Sequence, residues 1–310
     1  MKSLILSSIF TFFLSNCLIA DTIPQLFEPG TISDELGNRD VAISPNGHDL
    51  FYTLQYRSGF GYSVIMHATR KNGKWSKPEV ADFSGIYNDL EPSFSPDGNR
   101  LYFASSRPIS GSKHKDYDIW FVTKMDGKWT NPINAGSPIN SDKDEFYPSV
   151  TKSGNIYFTR DMEGSDEDIV VCILENGKYV EAKSLPEEIN SKGAEFNAFV
   201  DPDEGYVIFT GYKRPGNFGS GDLFISKKNK FNKWQKAINL GGAINGNGLT
   251  YCPYVSPDKK NLFFASSRGI FQTPFEKRMN LKELKLKASS PWNGNDNIYW
   301  IPVENTVILK

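Results

Sequence analysis

The feature that most constrains this chain is a segment that recurs five times: a strand-like stretch, a tight turn, and a second strand-like stretch that ends in aromatic residues. The turns read Ser-Pro-Asn-Gly at 44–47, Ser-Pro-Asp-Gly at 95–98, Lys-Ser-Gly at 152–154, Asp-Pro-Asp at 201–203 and Ser-Pro-Asp at 256–258. The proline-equivalent positions 45, 96, 152, 202 and 257 are separated by 51, 56, 50 and 55 residues. So steady a period indicates a repeat architecture.

Each repeat carries two further strand-like runs joined by a turn. In the second repeat, the run 117–122 is followed by Asp126-Gly127 and then by Lys128-Trp129, and Asp-Gly between two such runs is a strong hairpin signal. A repeat is therefore four strands, A to D, in an antiparallel meander. Such a sheet cannot bury both faces alone, whereas copies closed into a ring can. We predict an all-β fold, a β-propeller of four-stranded antiparallel blades.

The number of blades follows from the two ends of the chain. The last repeat has a C strand at 298–300 and only ten residues after it. Residues 27–32 precede the first strand A, in the place that strand D takes elsewhere. We predict that this N-terminal strand closes the last blade, which gives five blades, with six as the alternative, in a single propeller domain over 21–310.

The second repeat carries a recognisable motif. Ser-Pro-Asp-Gly-x-x-Leu-x-Phe at 95–103 is followed by Ser-Ser-Arg at 105–107 and Asp-Ile-Trp at 118–120. This pattern resembles the TolB-type, WD-like propeller repeat of bacterial envelope proteins, over about residues 27–303. The resemblance implies a scaffold rather than an activity, because similar repeats occur in a periplasmic translocation component, beside hydrolases, and in proteins without an assigned activity.

The first twenty residues predict export. Lys2 is followed by an apolar run at 4–14, which is too short to span a bilayer and is typical of a secretory signal peptide. Two alternatives stay open: cleavage after Ala20, or a lipoprotein signal in which Leu-Ser-Asn-Cys at 14–17 is a lipobox and Cys17 is acylated. We expect a protein secreted across the inner membrane, in the periplasm or associated with the outer membrane. In the lipoprotein alternative, the lipid on Cys17 is its one membrane contact.

Charge and cysteine content exclude several classes. A formal net charge of −1, without a charged tail, predicts no nucleic-acid partner. Cys172 and Cys252 lie in strand-like runs and predict buried free thiols. We find no motif for a cofactor or a metal, and we expect neither.

Two smaller features bear on metal binding. The acidic segment 161–168 is interpreted as a solvated loop rather than a calcium site, because it lacks the EF-hand ligand order. The three histidines, His48, His67 and His114, fall in an A-to-B turn, a C strand and a B-to-C loop, so we expect that they cannot meet as metal ligands.

Two columns of charge are expected on the face where the D-to-A connections and the B-to-C loops emerge. The acids, just before strand A, are Asp40, Asp89, Glu91, Glu145 and Glu195. The bases, at the end of strand B, are Arg57, Arg107, Arg160, Lys213 or Arg214, and Arg268. One interpretation is a site for a polar, sugar-like or peptide ligand; the other is that acids and bases of neighbouring blades pair to hold the ring. Residues 279–287 predict a helix across the same face.

The first hypothesis for function is an exported, non-catalytic binding or scaffolding propeller, a monomer whose partner is an envelope protein or a glycan. Its candidate ligand-binding residues are Asp40, Glu91, Glu145, Glu195, Arg107, Arg160 and Arg268. The alternative is a carbohydrate-active enzyme, a glycoside hydrolase or lyase that uses carboxylates at the channel mouth, Glu91, Glu145 or Glu195. No catalytic residue is assigned.

Overall fold

The computed structural model describes residues 23–56, 61–110, 116–162, 166–269 and 274–308. Their strands form five antiparallel blades, so the predicted five-bladed propeller is confirmed. The signal sequence with Cys17, and also Arg57 and His114, lie outside the described residues.

The two inner strands of every blade pair along their length. Strand A, nearest the axis, comprises Gly37–Ile43, Asp89–Phe94, Glu145–Val150, Ala194–Val200 and Thr250–Val255 in blades 1 to 5. Strand B comprises Asp49–Tyr56, Arg100–Ser105, Ile156–Asp161, Tyr206–Tyr212 and Asn261–Ser266.

The outer strands are less regular. Strand C comprises Tyr62–Lys71, Asp118–Met125, Glu167–Cys172, Gly221–Lys227 and Asn297–Pro302. Strand D is reduced to two-residue pieces: Lys74–Trp75 with Glu79–Val80, Lys128–Trp129 with Ile133–Asn134, Lys183–Ser184, Ile238–Asn239, and Gln25–Leu26. Blade 3 adds a small hairpin of Leu174–Glu175 and Lys178–Tyr179.

The aromatic residue that ends each repeated motif is the centre of the packing between blades. In every blade the third residue of the aromatic run on strand B is less than 2% exposed: Tyr52, Phe103, Phe158, Phe209 and Phe264. Five apolar clusters result, and each combines residues of two adjacent blades. Burying one such ring is worth about 1.5–3 kcal/mol, so the motif recurs because every blade interface needs it.

The ring closes through the N-terminal segment, as predicted, but the predicted range was wrong. The closing strand is Gln25–Leu26, which pairs with Trp300 and Tyr299. Only Phe27 of the predicted range continues the ladder, with its amide donating to the Ile298 carbonyl at 2.8 Å. Residues 28–33 form a turn instead, because Pro29-Gly30 supplies turn residues at the point where the chain crosses to strand A.

The A-to-B turns reach back to the preceding blade. In blades 4 and 5 the glycine position of the motif holds Glu204 and Lys259, at φ 58° and 57°. Glu204 accepts hydrogen bonds from four blade 3 side chains, Thr151, Ser153, Asn155 and Tyr157, at 2.7–3.0 Å. The Nζ atom of Lys259 lies 2.8 Å from Asp201 of blade 4. The left-handed backbone costs about 1 kcal/mol or more at each residue, and these inter-blade contacts offset it.

The predicted helix over 279–287 is present as Leu281–Ala288, within the B-to-C connection of blade 5. Asn280 caps it: its side chain accepts from the Glu283 amide at 3.0 Å, and Glu283 accepts from the Asn280 amide at 2.9 Å. A 3-10 turn, Val303–Asn305, follows the last strand. Across the described segments, helices of the length and apolarity needed to cross a bilayer do not occur. Both predicted thiols, Cys172 and Cys252, are free and buried.

Candidate functional site

Three successive positions of strand A face different surroundings, and they recur in all five blades. The predicted acids lie at these positions, inside strand A and not before it. The first position holds Asn38, Asp89, Glu145, Glu195 and Thr250; the second holds Arg39, Leu90, Phe146, Phe196 and Tyr251; the third holds Asp40, Glu91, Tyr147, Asn197 and Cys252. Two acids of the predicted column, Asp40 and Glu91, therefore belong to a different layer from Asp89, Glu145 and Glu195.

The acids of the first position form buried ion pairs with the arginines that follow strand B. These carboxyl groups are fully buried. The pairs are Asp89 with Arg107 at 2.6 Å, Glu145 with Arg160 at 2.9 Å, and Glu195 with Arg214 at 3.2 Å. Removing one partner of such a pair costs about 3–5 kcal/mol, because the other charge stays buried.

The arginines that follow strand B also bind the connection that arrives from the preceding blade, including Arg268, whose blade has Thr250 in place of the acid. Arg160 donates to the Ile139 carbonyl at 2.8 Å, Arg214 donates to Ile189 at 2.8 Å, and Arg268 donates to Ile244. Their guanidinium groups lie over the core rings of their own blades, for example Arg160 over Phe158 at 5.2 Å. The ion pairs thus form within a blade, not between neighbouring blades as the structural interpretation expected. A ligand-binding role for Arg107, Arg160 and Arg268 stays a prediction.

The third position forms a bulge in every strand A. Each residue there has a left-handed backbone, with φ between 49° and 61°. The strand register shifts at this point in all five blades. A bulge re-aims a side chain that a regular strand would send elsewhere. Here it brings the five side chains together on the channel axis.

These side chains, with Arg39, form a polar plug across the channel. Arg39 pairs with Asp40 at 2.8 Å and with Glu91 at 2.6 Å. Glu91 also accepts from the Tyr147 amide at 2.7 Å and from the Asn197 side chain at 3.0 Å. Cys252 completes the ring, with Sγ 3.6 Å from Asn197 Oδ1. The plug separates two cavities, and Glu91 contributes to both of them.

Glu91 is the most perturbed acid of the plug. Burial raises the pKa of Glu91 to about 7, although the Arg39 charge opposes that shift. Burial also raises the pKa of the Cys252 thiol well above its usual value. The plug therefore holds a carboxyl group that can change protonation near neutral pH, and a thiol that stays protonated.

The mouth cavity lies on the predicted ligand face and has a volume of about 360 Å³. The second strand A position supplies much of its wall, from all five blades. The aromatic part of the wall consists of Tyr117, Phe146, Phe196 and Tyr251. Tyr117 and Phe146 are in contact, with ring centroids 5.0 Å apart. An apolar wall over a polar floor of this size is typical of small-molecule sites.

Acidic groups dominate the charge of the mouth cavity. Its described lining includes the carboxyl groups of Glu91, Glu167 and Asp296 and one base, Arg39. Burial, helped by the nearby Asp161, raises the pKa of Glu167 to about 7. Burial also raises the pKa of Asp296.

The turn-side cavity opens on the opposite face, beside the A-to-B turns. It has a volume of about 240 Å³ and is mostly apolar. Phe199 and Tyr254 meet there with ring centroids 5.6 Å apart, and Lys152, Asp203 and Lys259 stand at its rim. Tyr254 donates to the Ile43 carbonyl at 2.9 Å, so its hydroxyl joins blades 5 and 1.

Two of the histidines, His48 and His67, lie near the same carboxyl group. Asp49 Oδ1 lies 3.0 Å from His67 Nε2 and 3.7 Å from His48 Nδ1. Strand B starts beside the turn that holds His48, and its partner strand C carries His67. The hydrogen bond from His67 lowers the pKa of Asp49 to about 2. In the part of the chain that the structure describes, no group of three His, Cys, Asp or Glu side chains could hold a metal ion.

The aromatic residues of the mouth cavity were not predicted, because the predicted site was based only on the charged positions of the repeats. Phe146, Phe196 and Tyr251 each come one position after a residue of the first strand A position. Side chains alternate along a strand, so this neighbour faces another surface. Comparing that position across the five repeats would have revealed the aromatic wall. Glu167 and Asp296 occupy one position of the repeat, at the start of strand C, where the other blades carry Ser63, Tyr117 and Gly221. Because only two of these five residues are acids, the position shows no repeated charge.

No family model and no curated protein matches the sequence. Among solved structures, the fold is similar to a TolB-assigned protein of Agrobacterium tumefaciens, with a TM-score of 0.50 and 12% identity over 86% of this chain and 90% of that one. TolB of Acinetobacter baumannii gives a TM-score of 0.49 and 17% identity over 86% of this chain, which spans about half (54%) of that protein. A periplasmic gluconolactonase of Pseudomonas aeruginosa gives a TM-score of 0.41 and 12% identity, over 73% of this chain and 64% of that one. The resemblance to TolB-type propellers is confirmed for the fold.

Proposed function

We propose that the protein is a non-catalytic binding propeller of the bacterial cell envelope, and that its ligand enters the mouth cavity. The observation that carries this proposal is the construction of the cavity. Aromatic side chains from several blades form its wall, and the plug forms a floor in which Arg39 is held by Asp40 and Glu91. Such a floor is preorganised for hydrogen bonding and has little freedom to move during a reaction.

Export and an envelope location belong to the same proposal. They rest on the signal-like residues 1–20 and on the TolB-type motif. A glycan or an envelope protein would then be the natural ligand. A lipid on Cys17, or its absence, would decide whether the propeller is held at a membrane surface.

Burial argues against two of the three acids of the catalytic alternative. A general acid must reach the substrate, directly or through one water. Glu145 and Glu195 are fully buried and paired with Arg160 and Arg214. Glu91 is 3% exposed and pairs with Arg39. Of the three acids, Glu91 alone lines the mouth cavity.

A second candidate function, a carbohydrate-active enzyme, is favoured by one observation. Three carboxyl groups, Glu91, Glu167 and Asp296, line the same cavity, and burial raises the pKa of each. Glycosidases use one carboxyl group with a raised pKa as the acid and a second as base or nucleophile.

One experiment separates the two functions. The purified protein is screened by thermal shift against neutral oligosaccharides and peptidoglycan fragments, and every stabilising compound is followed for cleavage by mass spectrometry. Binding without cleavage, abolished in Phe146→Ala and kept in the control Phe231→Ala, is the expected result. Phe231 is 70% exposed and lies in an outer turn of blade 4. Cleavage that Glu91→Gln or Glu167→Gln abolishes would replace binding by catalysis.

A further inference from the structure

We infer that the ligand of the mouth cavity is a cation, a small molecule that carries a protonated amine beside a face able to stack, of which an amino sugar is the simplest form. The inference rests on the proposed function and specifies its ligand.

The one base in the described lining is already neutralised. Arg39 lies within 2.8 Å of both Asp40 and Glu91, so its charge is shared between two carboxylates. Glu167 and Asp296 remain. Among the residues that the structure describes, Arg39 is the only base whose charge favours the ionised form of either carboxyl group. The lining therefore holds three carboxyl groups and one guanidinium group, and that guanidinium group is already paired.

Glu167 has the least support of these acids. Asp161 and Asp144 repel its charge, and no described side chain donates a hydrogen bond to its carboxyl group. Asp296 receives one hydrogen bond, from the Tyr251 hydroxyl. A carboxylate without a partner in a partly dry cavity costs free energy, and an ammonium group placed beside it recovers that cost. Glu167 is thus the group that a cationic ligand would bind.

The aromatic wall favours the same kind of ligand. The face of a Tyr or Phe ring attracts a cation within about 6 Å of its centre. Tyr251 already shows this behaviour, since the guanidinium carbon of Arg39 lies 4.8 Å from its ring centroid. Phe146 and Phe196 border the same space. These rings would also stack against the apolar face of a sugar.

The size of the cavity limits the ligand. A volume of about 360 Å³ holds one or two sugar rings, at the lower end of the usual range for small-molecule sites. The half-buried Gln55 supplies an amide group to the wall, which suits the hydroxyl groups of a sugar.

The test compares glucosamine with glucose, which lacks the charge, and with glucuronate, which reverses it. Calorimetric titration of the full-length protein near pH 7 measures each affinity. We expect glucosamine to bind at least about tenfold more tightly than glucose, and glucuronate to bind most weakly. The Glu167→Gln variant is expected to reduce the glucosamine preference to about threefold or less. The matched control Glu79→Gln, an exposed acid on the outer edge of blade 1, should leave it unchanged.

A second readout does not depend on affinity alone. Glu167 is partly protonated near pH 7, so an ammonium group that binds it displaces a proton. The enthalpy of glucosamine binding should then vary with the ionisation enthalpy of the buffer, and the number of protons released on binding should be smaller in Glu167→Gln.

Two results would overturn the inference, and they differ in what they leave standing. If glucose or glucuronate binds at least as tightly as glucosamine, and Phe146→Ala abolishes that binding, the proposed binding function stands and the ligand is not a cation. If none of the three probes binds, the amino-sugar ligand is wrong. The screen with neutral glycans then tests the binding function separately.

Discussion

Replacing Phe27 by alanine tests how much of the stability of the ring depends on its closing segment. Phe27 is 9% exposed and meets Phe263 edge to face, with ring centroids 5.0 Å apart and planes at 81°. It also belongs to the apolar cluster between blades 5 and 1, with Ile32 and Ile298. The substitution keeps the backbone pairing and removes only the ring, so the measured loss reports side-chain packing.

The expected loss follows from that burial. Truncating a buried phenylalanine costs about 3–5 kcal/mol, and the edge position of Phe27 places the loss near 3 kcal/mol. Native domains have only about 5–15 kcal/mol of stability, so the change is large. Equilibrium unfolding in urea, followed by tryptophan fluorescence, measures it; Trp300, which pairs with Gln25, is a local reporter.

The control substitution lies four residues before Phe27, at the exposed Ile23. Ile23 is 74% exposed and precedes the closing strand, so Ile23→Ala should change the free energy of unfolding by less than about 0.5 kcal/mol. If Phe27→Ala does not fold, Phe27→Leu should still fold with a loss of about 1 kcal/mol. A loss below about 1 kcal/mol in Phe27→Ala would refute the view that this side chain seals the ring.

Three further predictions concern the inter-blade contacts, the mouth cavity and the thiols. Glu204→Ala should lower the free energy of unfolding by about 2 kcal/mol near neutral pH, measured in urea. Burial alone would raise the pKa of Glu204, but hydrogen bonds from Ser153, Tyr157 and their neighbours lower it to about 2; the difference between the proteins should therefore vanish as the pH falls from about 4.5 to about 2. Because the folded-state pKa of Glu167 is raised to about 7, the protein should lose stability as the pH rises from about 4.5 to about 7, and Glu167→Gln should lose less; an identical pH profile would contradict this. In a Cys17→Ser variant, the buried Cys172 and Cys252 should react with a thiol reagent only after unfolding, since burial raises the pKa of both; rapid reaction of the native protein would contradict their burial.

The scaffold was predictable because each blade repeats the same physical requirements. The turn motif and the aromatic run recur where a tight turn and a buried ring recur, so the strands, the blade number and the closure could be inferred. The bulge was not predictable, because the residues that adopt it, Asp40, Glu91, Tyr147, Asn197 and Cys252, share no chemistry. Because the bulge was not foreseen, the acids near strand A were all predicted to be equivalent. Asp40 and Glu91 of the plug were therefore placed in one column with Asp89, Glu145 and Glu195, which pair with arginines. Glu167 and Asp296 reach the cavity from the same repeat position at the start of strand C, but only two of the five blades carry an acid there, so no column of charge marked the position.

The pairing of Gln25 with Trp300 also means that the ring cannot close until synthesis has reached the last blade. The two residues are 275 positions apart, since 300 − 25 = 275. At a ribosomal rate of about 5–20 residues per second, roughly 14–55 s separate the synthesis of the two partners. Throughout that interval the first strand has no edge to join, and blade 1 has no neighbour on one side. The protein therefore completes its fold only after its last blade exists, and until then its first strand stays available for pairing with other chains.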